Sequence, residues 1–467
     1  MFSRLKNDPL YQDLNWRLVL IGCVANLGAM GFGFDNGWWG GALGLSQFQR
    51  KYGAYNDELG RYAIPADKTS VGTGTGSAGI ILGCIMAPLV TSRLGRKRSF
   101  LVISALMGAG VVLESSAVTS FWQLVVGRIL VYAGMGLSSN VTPMIVIICQ
   151  LFVPVGYATM FPFLPESPRY LIYRGKYEEA EKVLKRLSNR PETISQEVQL
   201  LKAQVEEQRE MHKATTFKDC LKGTNLRRTA IAMGVQILQQ AQGVSFIQNF
   251  IVTFMQQLGF PDPLRTNLMV TGCSFAVHII TFLTFDKVGR RRSLSLGAVG
   301  LASTMIGTGA ATATGSAGNY SSAVANSSAA LLILWYMIYG FTWGPGCWVV
   351  AGEIGTGQLR EKTLFLASMG SFVTSAPINF VNPYVQAKLG GAVTFIYGGF
   401  SVIAVLWVFF FVPETKNRSL EELDEMFQAR VKTRSFDKYV STGLGAQITE
   451  VEDFSTKKAQ LDHTEDA

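Results

Sequence analysis

Two opposite charges lie within apolar stretches of this sequence. Asp35 lies in an apolar run that starts near residue 17, and Arg128 lies in another that starts near Phe121. An isolated charge is costly in the hydrocarbon core of a membrane, so two opposite charges in such stretches most simply pair with each other. Asp35 and Arg128 are therefore candidates for a buried ion pair.

Two adjacent amides and a tryptophan are the candidates for ligand binding. Gln239 and Gln240 lie in the apolar stretch 229–257, and Trp348 follows a helix-breaking Gly-Pro pair. Each amide both donates and accepts, and an indole offers a flat apolar face, which together suit a neutral ligand rich in hydroxyl groups. The alternatives are amides that hydrogen-bond neighbouring helices and an indole that only packs.

The elements that carry these side chains are long apolar segments. The 467 residues are 48% hydrophobic and 16% charged, whereas soluble domains carry about 25% charged residues. A membrane-spanning helix needs about 20 apolar residues. Eleven segments of this kind occur, near 17–39, 71–91, 99–119, 121–142, 144–164, 229–257, 267–286, 293–313, 329–351, 363–385 and 392–412. The sequence therefore predicts an all-α, multi-pass membrane protein with eleven spans.

The net charge of +9 follows the pattern of a membrane protein rather than that of a nucleic-acid-binding protein. Basic clusters occupy two short connections, RLGRKR at 93–98 and KVGRRR at 287–292, and the loop 165–228. An excess of Lys and Arg of this kind marks the cytoplasmic side. No nucleophile with its base and no metal-binding cluster is evident, so we predict no enzyme activity, no cofactor, no metal and no nucleic-acid partner.

The chain repeats itself, and its first half is the shorter one. LGRKRS at 94–99 recurs as VGRRRS at 288–293, and PESPR at 165–169 has its counterpart in PETKNR at 413–418. Gly95 and Pro165 are 70 residues apart, whereas Gly289 and Pro413 are 124 apart, a difference of 54.

The second half indicates what the first half lacks. After its fourth span come a polar corner, AGEIGTGQLREK at 351–362, and a further span, whereas the first half passes from TPM at 142–144 directly into its last span. Unequal evolution of the halves is one explanation. Loss of one span would invert every later segment and place basic loops on the wrong side, so we favour a skipped exon or a gene-model error.

Taken in order, these motifs resemble the sugar porter branch of the major facilitator superfamily. The resemblance covers nearly the whole chain and rests on GFGFDNGWWGG (31–41), RLGRKR, VGR (126–128), PESPRYL, QQ-x-x-G (239–243), DKVGRRR (286–292), GP-x-x-W (344–348) and PETK. It implies the major facilitator fold of two six-helix bundles with the substrate between them, twelve spans in the family. The family has a fifth helix where this chain has its join, and the long loop is typical of a fungal member.

The resemblance assigns sugar contacts to Gln239, Gln240 and Trp348, and to the positions of Ser245 and Asn249. Several of these positions depart from the family pattern. Ser245 replaces a common Asn, Asn249 and Phe250 replace a Tyr pair, and the eleventh family helix has Ser371 and Phe372 where Asn and Trp are expected. The substrate is therefore expected to be a small neutral sugar, mono- or disaccharide, of unassigned identity.

The resemblance also gives Asp35 and Arg128 a role in coupling. In proton-coupled members an Asp at this place binds the proton and loosens its hold on the Arg, so we predict proton–sugar symport. Passive facilitation is the nearest alternative. A transport-dead sugar receptor and a nonfunctional product of a truncated gene are the other two.

Charges at the cytoplasmic helix ends are predicted to form a gate. In the family such groups make salt bridges that hold the outward-open state; topogenic charge alone is the alternative. The predicted gate residues are Arg93, Arg96, Lys97, Glu166, Arg169, Asp286, Arg290, Arg291, Glu353 and Arg360. The first-half corner is missing, so one side of this gate is expected to be incomplete.

The expected organisation has four parts. These are an N-terminal bundle, 1–164, one helix short; a cytoplasmic helical loop, 165–228; a six-helix bundle, 229–412; and a partly disordered cytoplasmic tail, 413–467. We expect a monomer in the plasma membrane, with both termini cytoplasmic in the intact family topology. Its expected partners are the bilayer, the sugar and a proton.

Overall fold

The computed structural model describes residues 39–138, 171–187, 202, 216–260, 269–313, 320–355 and 359–440, with short gaps inside these ranges. The predicted span 144–164, nearly all of the span 17–39 and the join near Met144 lie outside the described residues. So do Asp35, Glu166, Arg169 and Asp286.

The chain divides into two units. The first consists of residues 1–214 together with 248–253 and 376–387, and the second consists of 215–247, 254–375 and 388–467.

The regular elements are almost all helical. In chain order they are α1 (Ser46–Tyr52), a small antiparallel pair β1 (Ala54–Asn56) and β2 (Arg61–Ala63), α2 (Ala66–Ser115), α3 (Phe121–Ser138), α4 (Tyr177–Leu187), α5 (Gly223–Gln239), α6 (Ser245–Gln257), α7 (Arg290–Thr312), α8 (Ser322–Phe341), α9 (Trp343–Ile354), α10 (Arg360–Leu389), α11 (Val393–Phe411) and α12 (Leu420–Gln428). A π-turn at Gln240–Val244 joins α5 to α6. Short 3₁₀ turns lie at Phe217–Leu221, Gly390–Ala392 and Thr433–Ser435.

The first arm of α2 runs parallel to α3. Gly72 packs against Phe121 at the start of α3, and Gly79 packs against Tyr132 farther along it. Glycine at these positions lets the two helices approach closely, as small residues commonly do between membrane helices.

The second arm of α2 runs in the opposite direction along the same helix. Glu114 packs against Gly127, whereas Met107, which comes earlier in the chain, packs against Gly134. A straight 50-residue helix would be about 75 Å long and α3 is only about 27 Å long, so α2 must fold back on itself. The reversal falls between the apolar arms Ala66–Ala87 and Leu101–Ser115, where the basic RLGRKR motif lies. The two arms overlap the predicted spans 71–91 and 99–119.

Four segments among the described residues are long and apolar enough to cross a membrane: Ala66–Ala87, Arg290–Thr312, Ser322–Ile354 and Arg360–Phe411. The last contains two helices, α10 and α11, separated by a turn in which Gly390 has a φ of 53°. These segments overlap five of the predicted spans, because Arg360–Phe411 contains both 363–385 and 392–412.

Helices of the second unit are interrupted at defined residues. The π-turn between α5 and α6 contains Gly243 with a φ of 105°, a conformation that side-chain-bearing residues rarely adopt. Thr342 separates α8 from α9 with non-helical backbone angles, whereas Pro377 and Pro383 lie in the part of α10 that belongs to the first unit. Such breaks free backbone groups inside a bundle, which then need side-chain partners.

Candidate functional site

The π-turn places Gln240 and Ser245 beside each other. The Ser245 hydroxyl donates to Oε1 of Gln240 at 2.9 Å. A π-turn adds one residue to a helical turn, so residues five apart share a face there, and such turns often occur at functional sites.

Helix α10 supplies the facing polar groups of the same unit. Nε2 of Gln240 donates to the Ser371 hydroxyl at 3.0 Å, and the hydroxyls of Ser245 and Ser375 lie 3.2 Å apart. Ser371 and Ser375 are one helical turn apart and therefore lie on one face of α10. Ser375 was missed by the sequence analysis, although its four-residue spacing from Ser371 in an apolar helix was a usable signal.

Gln239 has a different role from its neighbour. Its side chain is buried, and Nε2 donates to the carbonyls of Trp343 and Gly344 at 3.2 and 3.3 Å. These carbonyls belong to the first turn of α9, just after the break at Thr342. Gln239 therefore ties two helices together, its sugar contact stays a prediction, and Gln240 is the more accessible amide of the pair.

The two tryptophans of α9 are also distinct. Trp343 is fully buried and donates from Nε1 to the Leu294 carbonyl at 2.9 Å. Trp348 leaves 43% of its surface exposed. Of the two indoles, only Trp348 therefore presents an accessible apolar face.

A second amide cluster lies in the first unit. Asn249 donates from Nδ2 to Oδ1 of Asn379 at 3.3 Å, and Asn379 donates from Nδ2 to the Ser77 hydroxyl at 2.8 Å. All three side chains are buried. Asn249 was predicted as a site residue from the sequence, whereas Ser77 and Asn379 were not, because polar side chains spaced far apart in the chain give no local pattern.

Arg128 lies in an aromatic cage within the first unit. Its side chain is fully buried, with the guanidinium carbon 4.2 Å from the centre of the Trp39 ring and 5.1 Å from that of Tyr132. Nη2 donates to the Tyr132 hydroxyl at 3.0 Å. Aromatic faces stabilise a desolvated cation. The Asp35 partner proposed from the sequence lies outside the described residues.

Glu114 is a buried acid near this cage. It is 4% exposed, lies on the second arm of α2 and packs against Gly127, the residue before Arg128. The sequence analysis missed it, although a lone Glu inside the apolar span 99–119 is the same kind of signal that identified Asp35.

Arg290 and Glu353 form the best-defined ion pair of the predicted gate. Nη2 of Arg290 lies 2.8 Å from Oε1 of Glu353, and Nε lies 3.2 Å from both carboxylate oxygens. The Thr415 hydroxyl donates to Oε2 of Glu353 at 2.6 Å, and the backbone N–H of Arg290 donates to Oε1 of Glu414 at 2.8 Å. The helix ends α7 and α9 and the PETK motif are therefore joined by one network.

Other predicted gate residues bind backbone groups. Arg291 donates to the Phe409 carbonyl and Arg360 to the Gly352 carbonyl, each at 2.9 Å. Arg93 is exposed on α2. Arg96 and Lys97 also lie in α2, but their side chains are outside the described part of the structure.

The chain matches the protein-family model "Sugar (and other) transporter" over residues 21–147 and 145–427. The chain belongs to this family. It is therefore a multi-pass membrane transporter and not an enzyme, as predicted.

Several curated relatives come from fungi. A hexose transporter of Saccharomyces cerevisiae is 25% identical, with 87% of this chain and 81% of the relative covered. A high-affinity glucose transporter of Schizosaccharomyces pombe is 26% identical over 90% and 88%, and a probable glucose transporter of Neurospora crassa is 28% identical over 88% and 79%.

Solved structures of the xylose transporter XylE from E. coli share the fold. A partially occluded inward-open structure has a TM-score of 0.69 at 20% identity and covers 87% of this chain and 100% of that one. A structure of XylE described as a proton:xylose symporter of the major facilitator superfamily has a TM-score of 0.67 at 21% identity, covering 87% and 98%. The all-helical major facilitator fold predicted for the chain is thus confirmed.

A double-mutant cycle on Arg290→Gln and Glu353→Gln is expected to show strong coupling. Breaking either side of a charge-assisted, half-buried pair leaves the other side without its partner, so the second substitution should add little. We expect an interaction free energy of about 1–3 kcal/mol, measured by unfolding of the purified protein.

The control is the cycle of Arg360→Gln with Glu353→Gln. Because Arg360 binds the Gly352 carbonyl, these two changes should be additive. Equal coupling in both cycles would contradict the assigned pairing.

Proposed function

We propose that this protein, in the form that contains the fifth family helix, carries a small neutral sugar, a mono- or disaccharide, through alternating access, and that its sugar-binding contacts in the second unit centre on Gln240. The observation that carries the proposal is the set of hydrogen bonds among Gln240, Ser245, Ser371 and Ser375. Amide and hydroxyl groups of this kind can exchange partners with sugar hydroxyls at little net cost, because each bond lost is replaced by another.

Trp348 completes this proposed site. Its exposed indole on α9 provides an apolar face for the C–H side of a sugar ring. Gln239 supports the site indirectly, because it holds the first turn of α9 in place. Asn249 belongs to the separate amide cluster with Asn379 and Ser77, and its amide is also a proposed sugar contact.

We infer that transport is coupled to a proton through Asp35 and Arg128. The support is the burial of Arg128 between two aromatic rings. A desolvated cation strongly attracts a nearby carboxylate and favours its charged form over its protonated form. Protonation of Asp35 would weaken that attraction and free the helix that carries it. Passive facilitation is the alternative.

We also propose that the chain lacks the fifth family helix and its preceding corner, which leaves eleven spans and an N-terminal bundle, 1–164, one helix short. Three observations support this. The repeat landmarks leave the first half short by 54 residues. The family match falls into two pieces that meet at 145–147, where the sequence indicated the join.

The alignment lengths provide the third observation. The alignment with the Saccharomyces hexose transporter has 460 positions, yet 87% of this 467-residue chain is about 406 residues, which leaves about 54 positions opposite gaps. For the Schizosaccharomyces relative, 475 positions and 90% leave about 55. For the Neurospora relative, 472 positions and 88% leave about 61, so the gaps equal or somewhat exceed the deficit in the internal repeat. We therefore propose transport for a longer form that contains the fifth helix. For the 467-residue chain itself, the alternatives are a nonfunctional short product and a sugar receptor.

The first prediction from this proposal concerns the join at Met144–Ile145. A transcript with about 54 additional codons at this point should encode a form that restores sugar uptake to a yeast strain lacking its own hexose carriers. The 467-residue chain should not restore uptake, because losing one span inverts the helices that follow. Equal uptake by both forms at equal surface abundance would refute the missing-helix proposal.

The second prediction concerns Gln240. In the form that transports, Gln240→Ala should raise the half-saturating sugar concentration about 5- to 150-fold, since losing one buried hydrogen-bonding group costs about 1–3 kcal/mol. Ser368→Ala is the matched control on α10, because that hydroxyl bonds only the Leu364 carbonyl of its own helix among the described contacts. If both variants bind sugar equally well, Gln240 is not a contact.

The third prediction concerns pH. Uptake by the wild type should rise as the external medium is acidified, because the proton that neutralises Asp35 enters with the sugar. Asp35→Asn should abolish concentrative uptake while sugar exchange continues. Sugar uptake and sugar exchange are measured for the wild type and for Asp35→Asn across a range of external pH. Wild-type uptake that does not change with pH would favour passive facilitation.

A further inference from the structure

A basic cavity of the second unit lies where α7 begins and where the chain leaves α11. Neither Gln240 nor Trp348 lines it. It has a volume of about 510 Å³, within the range of small-molecule sites. Three separate segments form its walls, at 288–292, 414–418 and 433–437. Its basic side chains are Arg291, Arg292, Lys416 and Arg418.

Two acidic side chains, Glu414 and Asp437, also line the cavity. Glu414 is already engaged, because Oε1 accepts hydrogen bonds from the backbone N–H groups of Arg290 and Lys416 at 2.8 and 3.2 Å. The described lining therefore has four cations and two anions. The Glu414 carboxylate is directed at the backbone, and Arg418 also pairs with Glu422 at 3.1 Å. This balance favours an anionic ligand.

The walls are fixed by contacts outside the cavity. Arg418 donates to the carbonyls of Phe436 and Tyr439 at 3.3 and 2.6 Å, which fastens the wall at 433–437 to the PETK segment. Arg434 stacks on Phe409, with its guanidinium carbon 4.1 Å from the ring centre, and ties the same wall to α11. Phe436 is fully buried beneath it.

Arg292 is the cation best placed to receive a ligand. It is exposed, and within the described part of the chain its guanidinium has no hydrogen bond or ion pair. Arg291, by contrast, is engaged with the Phe409 carbonyl.

Exposed apolar side chains lie on the helices that border the cavity. Leu296, one turn along α7 from Arg292, is 71% exposed, and Phe410, near the end of α11, is 56% exposed. In a membrane protein such surfaces meet acyl chains. The cavity therefore lies where lipid-facing helices end, on the side that the basic clusters predict to be cytoplasmic in the intact twelve-span topology.

We propose that this cavity binds the headgroup of an anionic phospholipid of the cytoplasmic leaflet, with its phosphate at Arg292 and Lys416 and an acyl chain along Leu296 and Phe410. Basic pockets at helix ends recognise lipid headgroups in this way. Free phosphate shares the charge chemistry but makes no use of the apolar border. The proposal is independent of sugar binding, so it holds or fails separately from the transport function.

The test measures binding to the full-length chain purified in neutral detergent. Short-chain phosphatidylserine is titrated and followed by native mass spectrometry, beside phosphatidylcholine of the same chain length and inorganic phosphate. We expect one tightly held phosphatidylserine, and about fivefold weaker binding for each basic side chain removed, so about 25-fold for Arg292→Gln with Lys416→Gln.

Two further variants separate a specific site from general charge and from misfolding. Lys432→Gln removes an exposed cation beside the third wall but outside the cavity, and should leave the affinity unchanged. The charge-conserving Arg292→Lys with Lys416→Arg should retain most of the binding. If the double Gln variant does not fold, Arg292→Gln alone should show the fivefold loss.

Three results would overturn the proposal. These are phosphatidylserine bound no more tightly than phosphatidylcholine, an equal loss of affinity in Lys432→Gln, and inorganic phosphate bound as tightly as the lipid. The last result would assign the cavity to a soluble phosphate ligand instead.

Discussion

Hydrocarbon offers no hydrogen bonds, so every polar group buried among membrane helices needs a partner within the protein. This constraint explains the interior of the second unit. The carbonyls of Trp343 and Gly344 lie in the first turn of α9, just after the break at Thr342, and both accept from the buried Gln239 amide. The Trp343 indole likewise donates to a carbonyl of α7. A broken helix is stable here because side chains from neighbouring helices complete its backbone bonds.

The same constraint separates groups that hold the fold from groups that are available to a ligand. Gln239 and Gln240 are adjacent and chemically identical, yet the first bonds backbone carbonyls and the second bonds hydroxyls. A backbone carbonyl is fixed in its helix, whereas a serine hydroxyl can rotate to accept from or donate to another partner. The π-turn at Gln240–Val244 produces this difference, because it shifts the helix face by one residue and brings Ser245 onto Gln240.

Charge is handled by three different means. Arg128 is enclosed by aromatic faces, Arg290 by a carboxylate, and the cations around the basic cavity are partly left to solvent. These differences follow burial, because Arg128 is fully buried, Arg290 is mostly buried and Arg292 is exposed. A cation far from water needs close compensation, whereas one at the helix end keeps its hydration and can attract an anionic partner.

The sequence by itself determined the helical membrane class, the family, the positions of most described spans and the repeat that leaves the first half short. Short stretches of sequence specify these features: the length of the apolar segments, the basic residues in the connections and the order of the motifs. Only the tertiary structure distinguished Gln239 from Gln240, paired Arg290 with Glu353, and brought Ser375, Asn379 and Ser77 into polar clusters. It also folded the segment at 433–437 against α11 to form the basic cavity. The physical reason is that a side chain's partner lies across a helix packing interface, often more than 100 residues away, and no local pattern specifies which neighbour that will be.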